Sequence, residues 1–402
     1  MNSYSRNLRI LLVNKFYRHN GGDCVHFLAL EKLLRENDCE VAVMTMSHPQ
    51  NQPLPSGSFE IPQVSIDGNI QEKLKAVARI LGYNGIRKAV RKAIHSFKPD
   101  IIHLHNIHSY LSPAVAEEAH KAGVPVVWTL HDYKLICPSY SCLRNGAPCV
   151  ECLTDSDAVL RYRCMKNSVA SSVVAFAEAK KWNRRKLQNI TSRFICPSEF
   201  ICSKMIQGGI PRNSLEVLHN FVSVEPRETK LTGREGVCYV GRLSEEKGLK
   251  YLLEGAVAGG WNLTVAGDGP LLVDLTRQYA SHSNISFVGR LNSEQVADLL
   301  SKSKLSVVPS ICYENNPLSV IESLSLGTPV AGSDIGGLPE LINDGNGVLF
   351  APRNPDEINY AVKKMLTTEY NHAEISRKAF EKFGKDNYYS KLDLIYRSLL
   401  NL

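Results

Sequence analysis

Two carboxylates, Glu314 and Glu322, stand with seven residues between them in the segment PSICYENNPLSVIE, and Asn315-Asn316-Pro317 lies in the gap. Asn316 is a favourable helix N-cap and Pro317 suits the first helical position, where a missing N–H costs nothing, so a helix is expected to start here. Glu314 then lies on the loop before the helix, and Glu322 falls in its second turn, about 8 Å further along the axis at ~1.5 Å per residue. The first-turn amides of Leu318 and Ser319 form the positive pole of that helix, a ready site for an anion. Two hydroxyl-accepting carboxylates flanking a phosphate-sized pole fit a sugar nucleotide. Glutamates at this spacing on an amphipathic helix are also commonly solvated, so the reading depends on partners elsewhere in the chain.

Those partners are cations and glycines. In GRLSEEKG at 241–248, directly after the apolar run VCYV, Arg242 and Lys247 project from one strand-to-helix loop. Two cations there would neutralise a diphosphate and stabilise it as a leaving group, unless Glu245 and Glu246 simply pair with them. The loops GDGP at 267–270 and SDIGGLPE at 333–340 carry glycines that let backbone approach a ligand. Near the N-terminus, RILLVNKFY leads into HNGGD, where Gly21 and Gly22 either approach a phosphate or make an ordinary turn. His131-Asp132 ends the apolar run VPVVWTL, a polar pair at the carboxyl end of a buried strand. None of these loops reads G-x-G-x-x-G, which disfavours a nicotinamide cofactor. His103 and His105 share one strand face by period-2 alternation, more commonly the mark of satisfied core histidines than of a metal site.

The elements that must position these residues alternate. RILLVNKF, CEVAVMTM, DIIHLHN, VPVVWTL, SRFICPS and LEVLHNF read as strands, separated by helical patterns such as HFLALEKLLREN and SPAVAEEAHKAG. GVCYVGRL, LTVAGDG, ISFVGR, LSVVPS, PVAGSD and GVLF repeat the pattern in the second half, with SEQVADLLSKSK helical and Ser293 as its cap. Continuous apolar strands between helices indicate parallel sheets covered on both faces, and ligands of such sheets bind at the carboxyl ends of the strands. The 402 residues exceed one hydrophobic core. Two α/β domains in tandem with a cleft between them are therefore expected, over 1–220 and 221–402, with the polar stretch 224–236 as linker and the last helix packing back on the first domain.

In this order and at these intervals, Gly21-Gly22, His131-Asp132, GRLSEEKG, GDGP and ENNPLSVIE resemble glycosyltransferase family 4, retaining enzymes of GT-B fold. The resemblance covers nearly the whole chain. It implies two Rossmann-like domains facing each other across a cleft and a nucleotide-sugar donor, expected to be UDP-linked. It assigns the donor diphosphate to Arg242 and Lys247, with Gly22, Asn316, Leu318 and Ser319 also on the donor. Glu314 takes the sugar hydroxyls, Glu322 the ribose hydroxyls, and His131 touches the donor sugar near the reacting carbon. It further implies retention of anomeric configuration, deprotonation of the acceptor by the departing phosphate, and no catalytic metal. The family usually has Gly or Gly-Phe after its first Glu, where this chain has Asn315-Asn316, a change that bears on donor sugar identity. An epimerase or hydrolase of the same fold, and a non-catalytic nucleotide-sugar-binding protein, are the alternatives.

Charge places the acceptor. Residues 1–220 carry a net of +10 and residues 221–402 a net of −3, so an anionic partner of the first domain is expected. The cluster KKWNRRK at 180–186 follows the charge-poor SVASSVVAFA and resembles an interfacial anchor, which favours a membrane surface over nucleic acid. Neither a signal peptide nor a spanning helix is expected, because the first apolar run has only four residues before Asn14 and Lys15. The expectation is a cytoplasmic protein, peripheral on the inner face of the cell membrane, with a lipid-diphosphate-linked saccharide as acceptor, as in surface-polysaccharide assembly. Cys137, Cys142, Cys149, Cys152 and Cys164 lie within 28 residues after the His-Asp pair. In a cytosolic chain such a cluster points to metal rather than disulfides, and Cys137, Cys149, Cys152 and Cys164 are the expected ligands of a structural zinc. Asp155-Ser156-Asp157 imitates the D-x-D of metal-dependent glycosyltransferases but falls in this insert, and reads as loop.

Overall fold

The structure is a computed structural model and describes residues 7–19, 21–65, 68–83, 85–222 and 233–402. Most of the expected linker, at 224–232, lies outside the described residues, as does Asn20 of the HNGGD loop. The chain divides into two compact units. Met1–Cys142, Val150–Leu218 and Tyr389–Leu402 form the first, and Leu143–Cys149 with His219–Tyr388 form the second.

The first unit holds a seven-stranded parallel sheet. Its strands are β1 (Arg9–Val13), β2 (Glu40–Met46), β3 (Phe59–Ile61), β4 (Ile101–Leu104), β5 (Val126–Thr129), β6 (Arg193–Cys196) and β7 (Leu215–Val217), in spatial order 3-2-1-4-5-6-7. Residues Ile10–Val13 are wholly buried, which is why the run reads as continuously apolar rather than alternating. The second unit repeats the plan with β8 (Val237–Val240), β9 (Leu263–Ala266), β10 (Ile285–Gly289), β11 (Leu305–Val308), β12 (Val330–Ser333) and β13 (Gly347–Phe350), in order 10-9-8-11-12-13. Both orders reverse direction beside the first strand of the unit, the doubly wound arrangement in which ligands bind outside the carboxyl ends at the reversal. In the first unit that point lies between β1 and β4, and in the second between β8 and β11.

Among the described residues, helices cover the second sheet through three cores, the smallest joining Cys238 to the helix Ser293–Lys302. Leu249–Gly259 and Pro355–Thr367 pack with Val237, Leu263, Val265 and Leu305, and Leu318–Ser325 packs with His372–Phe383, Val308 and Val330. The helix expected from SEQVADLLSKSK spans Ser293–Lys302, but its cap is Asn292, whose side chain accepts from the Gln295 amide in a reciprocal capping box. The basic stretch after residue 70 forms two helices, Ile70–Ile80 and Ile86–Phe97, that the sequence reading left unassigned.

Two glycines let the second unit's switch-point loops lie on one another. Gly248 has φ +68°, and a Cβ there would sit 1.9 Å from the Pro309 carbonyl oxygen. Gly336, at φ +65°, would put one 2.4 Å from the backbone oxygen of Glu314. Both glycines thus admit neighbouring backbone, whereas Gly336, in SDIGGLPE, was expected to admit a ligand. Gly248→Ala combines a left-handed strain with a backbone clash, and should cost about 2–4 kcal/mol of stability, read as a lowered thermal midpoint.

Candidate active site

At the β8/β11 switch point the loop after β8 carries Arg242 and Lys247, and the loop after β11 carries Glu314 and Asn316. Backbone bonds join the two loops, with the Ile311 amide donating to Glu246 (3.0 Å), while the Gly337 amide donates to Glu314 (2.7 Å) from the third motif. Leu243 ties in the GDGP loop in the same way, its amide donating to the Asp268 carbonyl (2.9 Å) and its carbonyl accepting from the Leu271 amide just after that loop (3.1 Å). The buried Tyr239 hydroxyl donates to the Arg242 carbonyl at 2.8 Å and fixes the backbone there. The Arg242 guanidinium itself is exposed and makes no ion pair among the described residues.

Lys247 behaves differently. Its ammonium donates to Glu314 Oε1 at 2.6 Å, and the Ser310 hydroxyl donates to the same oxygen. Burial opposes the charge on Glu314, yet the Lys247 cation and these bonds hold its carboxyl below the ordinary range. Lys247 is correspondingly raised, its own burial being outweighed by Glu314. The two residues expected to hold the diphosphate and the sugar hydroxyls are therefore already in contact. A ligand there meets a preformed, charge-assisted pair.

The helix after this loop spans Leu318–Ser325. Its N-cap is Pro317, not Asn316, and no side chain caps it. Asn316 is buried and turned aside: its Oδ1 accepts from the Asn220 amide at 2.7 Å, and its carbonyl accepts from Asn220 Nδ2 at 2.8 Å. That long-range tie overrides the local cap preference and leaves the first-turn amides of Leu318 and Ser319 uncapped. Glu322, in the next turn, has no bonding partner among the described residues, and burial alone pushes its carboxyl up to about 7.

In the first unit, Gly22 opens the helix Gly22–Glu36 after Gly21, beside the β1 end. The Asn106 side chain holds Asp23 of that first turn at 2.6 Å, so an acidic group shares this N-terminus. His131, at the β5 end, bonds through Nε2 to His105 Nδ1 at 2.9 Å. His105 stacks on His131 and on His103, and His103 is spanned by the Tyr396 hydroxyl (2.6 Å) and Thr129 Oγ1 (2.7 Å). Both ring nitrogens of His103 are engaged, as a core histidine requires. Burial, then Lys15, depresses His131 to about 3, so its imidazole is neutral at physiological pH. Ring nitrogens of His26, His105 and His131 lie within 4.8 Å of one another, a group able to offer three donors to a metal.

Sequence reading missed the partners of His131, because His26 and His105 are distant in sequence: His105 meets it through the β4–β5 pairing, and His26 from the helix Gly22–Glu36. The signal available was the shared face of His103 and His105 on a strand expected beside β5. It also missed Lys134 and Glu178, a buried ion pair at 2.9 Å three residues beyond His131. Glu178, further held by His108 and the Ser109 amide, is drawn down to about 2 against its burial. The anchor reading of KKWNRRK requires correction: Trp182 is buried, its indole N–H donates to the Ile80 carbonyl at 2.9 Å, and the ring is unavailable to a membrane. Asp155 and Asp157 sit in a turn, paired with Arg161 and Lys180. Of the cysteines expected to hold zinc, Cys137 and Cys152 are buried and Cys149 and Cys164 half-buried, and among the described residues no three of these thiols are gathered closely enough to share a metal ion.

Two Rossmann-like units, with cations and carboxylates gathered at a switch point, define the GT-B class. Residues 20–226 match the model of Glycosyltransferase Family 4 and residues 224–386 that of Glycosyl transferases group 1, and the chain belongs to this family. An uncharacterized glycosyltransferase of Methanocaldococcus jannaschii is 24% identical over 369 residues, covering 90% of this chain and 89% of that one. The putative teichuronic acid biosynthesis glycosyltransferase TuaC of Bacillus subtilis is 28% identical over 285 residues, covering 69% of this chain and 62% of TuaC. The chain thus spans less than two thirds of TuaC, and 45% of a second M. jannaschii glycosyltransferase. Among solved structures, Anabaena HepE in complex with UDP and glucose shares the fold at a TM-score of 0.68 and 16% identity, over 98% of this chain and 100% of that one.

The unpartnered Glu322 sets a pH test. Its folded value lies above the unfolded one of about 4.5, so ionisation costs folding free energy that is absent at pH 4.5 and grows until pH passes about 7. Glu322→Gln should therefore leave the thermal midpoint unchanged near pH 4.5 and raise it at pH 8, by the equivalent of about 1–3 kcal/mol.

Proposed function

We propose that this chain is a retaining, metal-independent glycosyltransferase that moves a sugar from a UDP-linked donor to a lipid-diphosphate-linked saccharide in surface-polysaccharide assembly. The observation that carries the donor half is the switch-point cluster of the second unit. An exposed Arg242, unpaired among the described residues, and a Lys247 balanced by Glu314 suit a diphosphate beside sugar hydroxyls, and Leu318 and Ser319 add uncapped amides. Glu322 is a desolvated carboxylate lacking a donor, which the two ribose hydroxyls would supply. HepE binds UDP and glucose on the same fold, and TuaC is named for polysaccharide biosynthesis, both in line with this reading. By the family resemblance, Gly22 contributes a backbone amide to the donor and the neutral His131 contacts the sugar, while the departing phosphate takes the acceptor proton.

The acceptor half rests on the first unit. A cavity of about 310 Å³ there is lined by Lys180, Arg184, Arg185, the Lys134–Glu178 pair and apolar Trp182 and Leu187, a mixture suited to a diphosphate on a lipid. Exposed Ile70 and Leu74 lie one turn apart beside Lys73 and Lys75, and replace Trp182 as the surface offered to an anionic membrane. No helix among the described residues is long and apolar enough to cross a membrane, so contact would be peripheral.

Purified protein supplied with UDP-sugars and a polyprenyl-diphosphate saccharide should release UDP and form a glycoside whose anomeric configuration, read by NMR, matches the donor. Nucleotide release without glycoside would replace this reading by a hydrolase. Arg242→Ala and Lys247→Ala should each reduce kcat/KM by about 10²-fold or more, whereas His131→Ala should lower kcat with UDP affinity kept.

A further inference from the structure

At the carboxyl end of β5 the His131 ring is hydrogen-bonded to one other side chain. Its Nε2 lies 2.9 Å from His105 Nδ1, and among the described residues its Nδ1 has no hydrogen bond. The residue is half-buried, and the Nδ1 edge of the ring is the one left to a ligand. His105 is placed differently. It is 1% exposed, and its Nε2 is buried with no hydrogen-bond partner among the described residues. One nitrogen of this ring is engaged and the other is orphaned, so the position of its proton has consequences for His131.

Burial decides that position. It keeps His105 neutral, with the neighbouring His103, His131 and His26 acting in the same direction, so one nitrogen carries a hydrogen and the other a lone pair. A proton on Nε2 would leave a buried N–H without an acceptor, at the full cost of its desolvation. Phe27 meets the ring edge-to-face at 4.9 Å and offers no lone pair. A bare Nε2 avoids the orphaned donor, and among buried backbone groups too such donors are rarer than under-used acceptors. The proton therefore sits on His105 Nδ1 and is donated to His131 Nε2. His131 is neutral as well, with burial and then Lys15 opposing a second proton, and it must carry its own hydrogen on Nδ1. The His105 ring is held for this task. It stacks on His103 at 4.5 Å, His103 is fixed at both nitrogens by Tyr396 and Thr129, and the Trp128 indole donates to the His105 carbonyl at 2.9 Å.

We propose that His105 is a positioning residue that holds His131 as its Nδ1–H tautomer, so that His131 meets the donor sugar as a hydrogen-bond donor and not as a base. The contact with the sugar rests on the transferase reading given above, whereas the tautomer follows from the first unit alone. The sugar group opposite His131 is then an acceptor oxygen, such as a hydroxyl, and no lone pair of this ring is available to the acceptor's proton. Deprotonation of the acceptor falls to another group, in line with the departing phosphate.

Long-range proton–nitrogen correlation spectra of the full chain labelled with ¹⁵N-histidine, recorded near neutral pH without substrate, should show His131 and His105 each protonated at Nδ1 and bare at Nε2. The His131 signals are assigned by their loss in His131→Gln. His105→Leu should release His131 from this tautomer and lower kcat by about 10²-fold, the effect of losing one aligned donor, with UDP affinity kept. His105→Asn, whose side-chain amide can still donate to His131 Nε2, should recover the tautomer and part of the rate. His131 protonated at Nε2 in the wild-type chain would overturn the proposal, as would His105→Leu that keeps either the tautomer or kcat. The wild-type spectrum decides the matter if the His105 variants do not fold. It needs no substrate, so a chain that transfers no sugar would overturn the transferase reading while leaving the tautomer to its own test.

Discussion

The Lys247–Glu314 ion pair is the contact on which the second unit's site depends. It joins the loop after β8 to the loop after β11, the two loops that flank the switch point, and both partners are largely withdrawn from water. Removing either partner of such a pair leaves an uncompensated charge, at a cost of about 3–5 kcal/mol when burial is complete. The pair therefore organises the loops before any ligand arrives. The Ser310 hydroxyl, the Ile311 amide and the glycines at 248 and 336 serve the same need, since they allow polar loops to pack closely and bond to one another. Glu322 lies outside this network. Its raised proton affinity is the signature of a carboxylate kept desolvated without a partner, a cost to folding that a ligand hydroxyl would relieve.

The first unit meets an equivalent constraint with neutral groups. Its β4 and β5 ends are filled by stacked imidazoles, and burial keeps His26, His103, His105 and His131 uncharged. An ionised ring among them would face its neighbours in low dielectric, so neutrality is what allows the stack. The His105 bond fixes which nitrogen of His131 faces inward. Tyr396 completes the line from the C-terminal helix, and the chain's last residues thereby become part of the first unit's core although they follow the whole of the second.

Much of the fold was legible because parallel sheets buried on both faces leave long apolar runs. All the strands of the second sheet and six of the seven in the first stand out in this way. The exception, β3, has three residues with one exposed, too short for periodicity to register. The motif loops were legible because chemistry restricts them to a few residue types: Gly248, Lys247 and Glu314 each have few substitutes. Trp182 and Asn316 misled for one reason. Each was assigned by local preference, an interfacial aromatic and a helix cap, and each is claimed by a distant carbonyl or amide, at Ile80 and Asn220. Local propensities are worth about 1 kcal/mol, and buried long-range hydrogen bonds outweigh them once desolvation of the unpaired group is counted.

The sequence by itself determined the class, two doubly wound α/β units of glycosyltransferase family 4, together with the residues able to handle a diphosphate and hydroxyls. Those properties live in short motifs and in the period of hydrophobicity, both of which are local. Only the tertiary structure decided which groups are already paired. It placed Glu314 on Lys247, left Arg242 and Glu322 without a partner among the described residues, turned Asn316 away from the helix it precedes, and gathered His26 and His105 at His131. Pairing of this kind depends on distances in space between residues far apart in the chain, and charge, burial and proton affinity at each group follow from those distances.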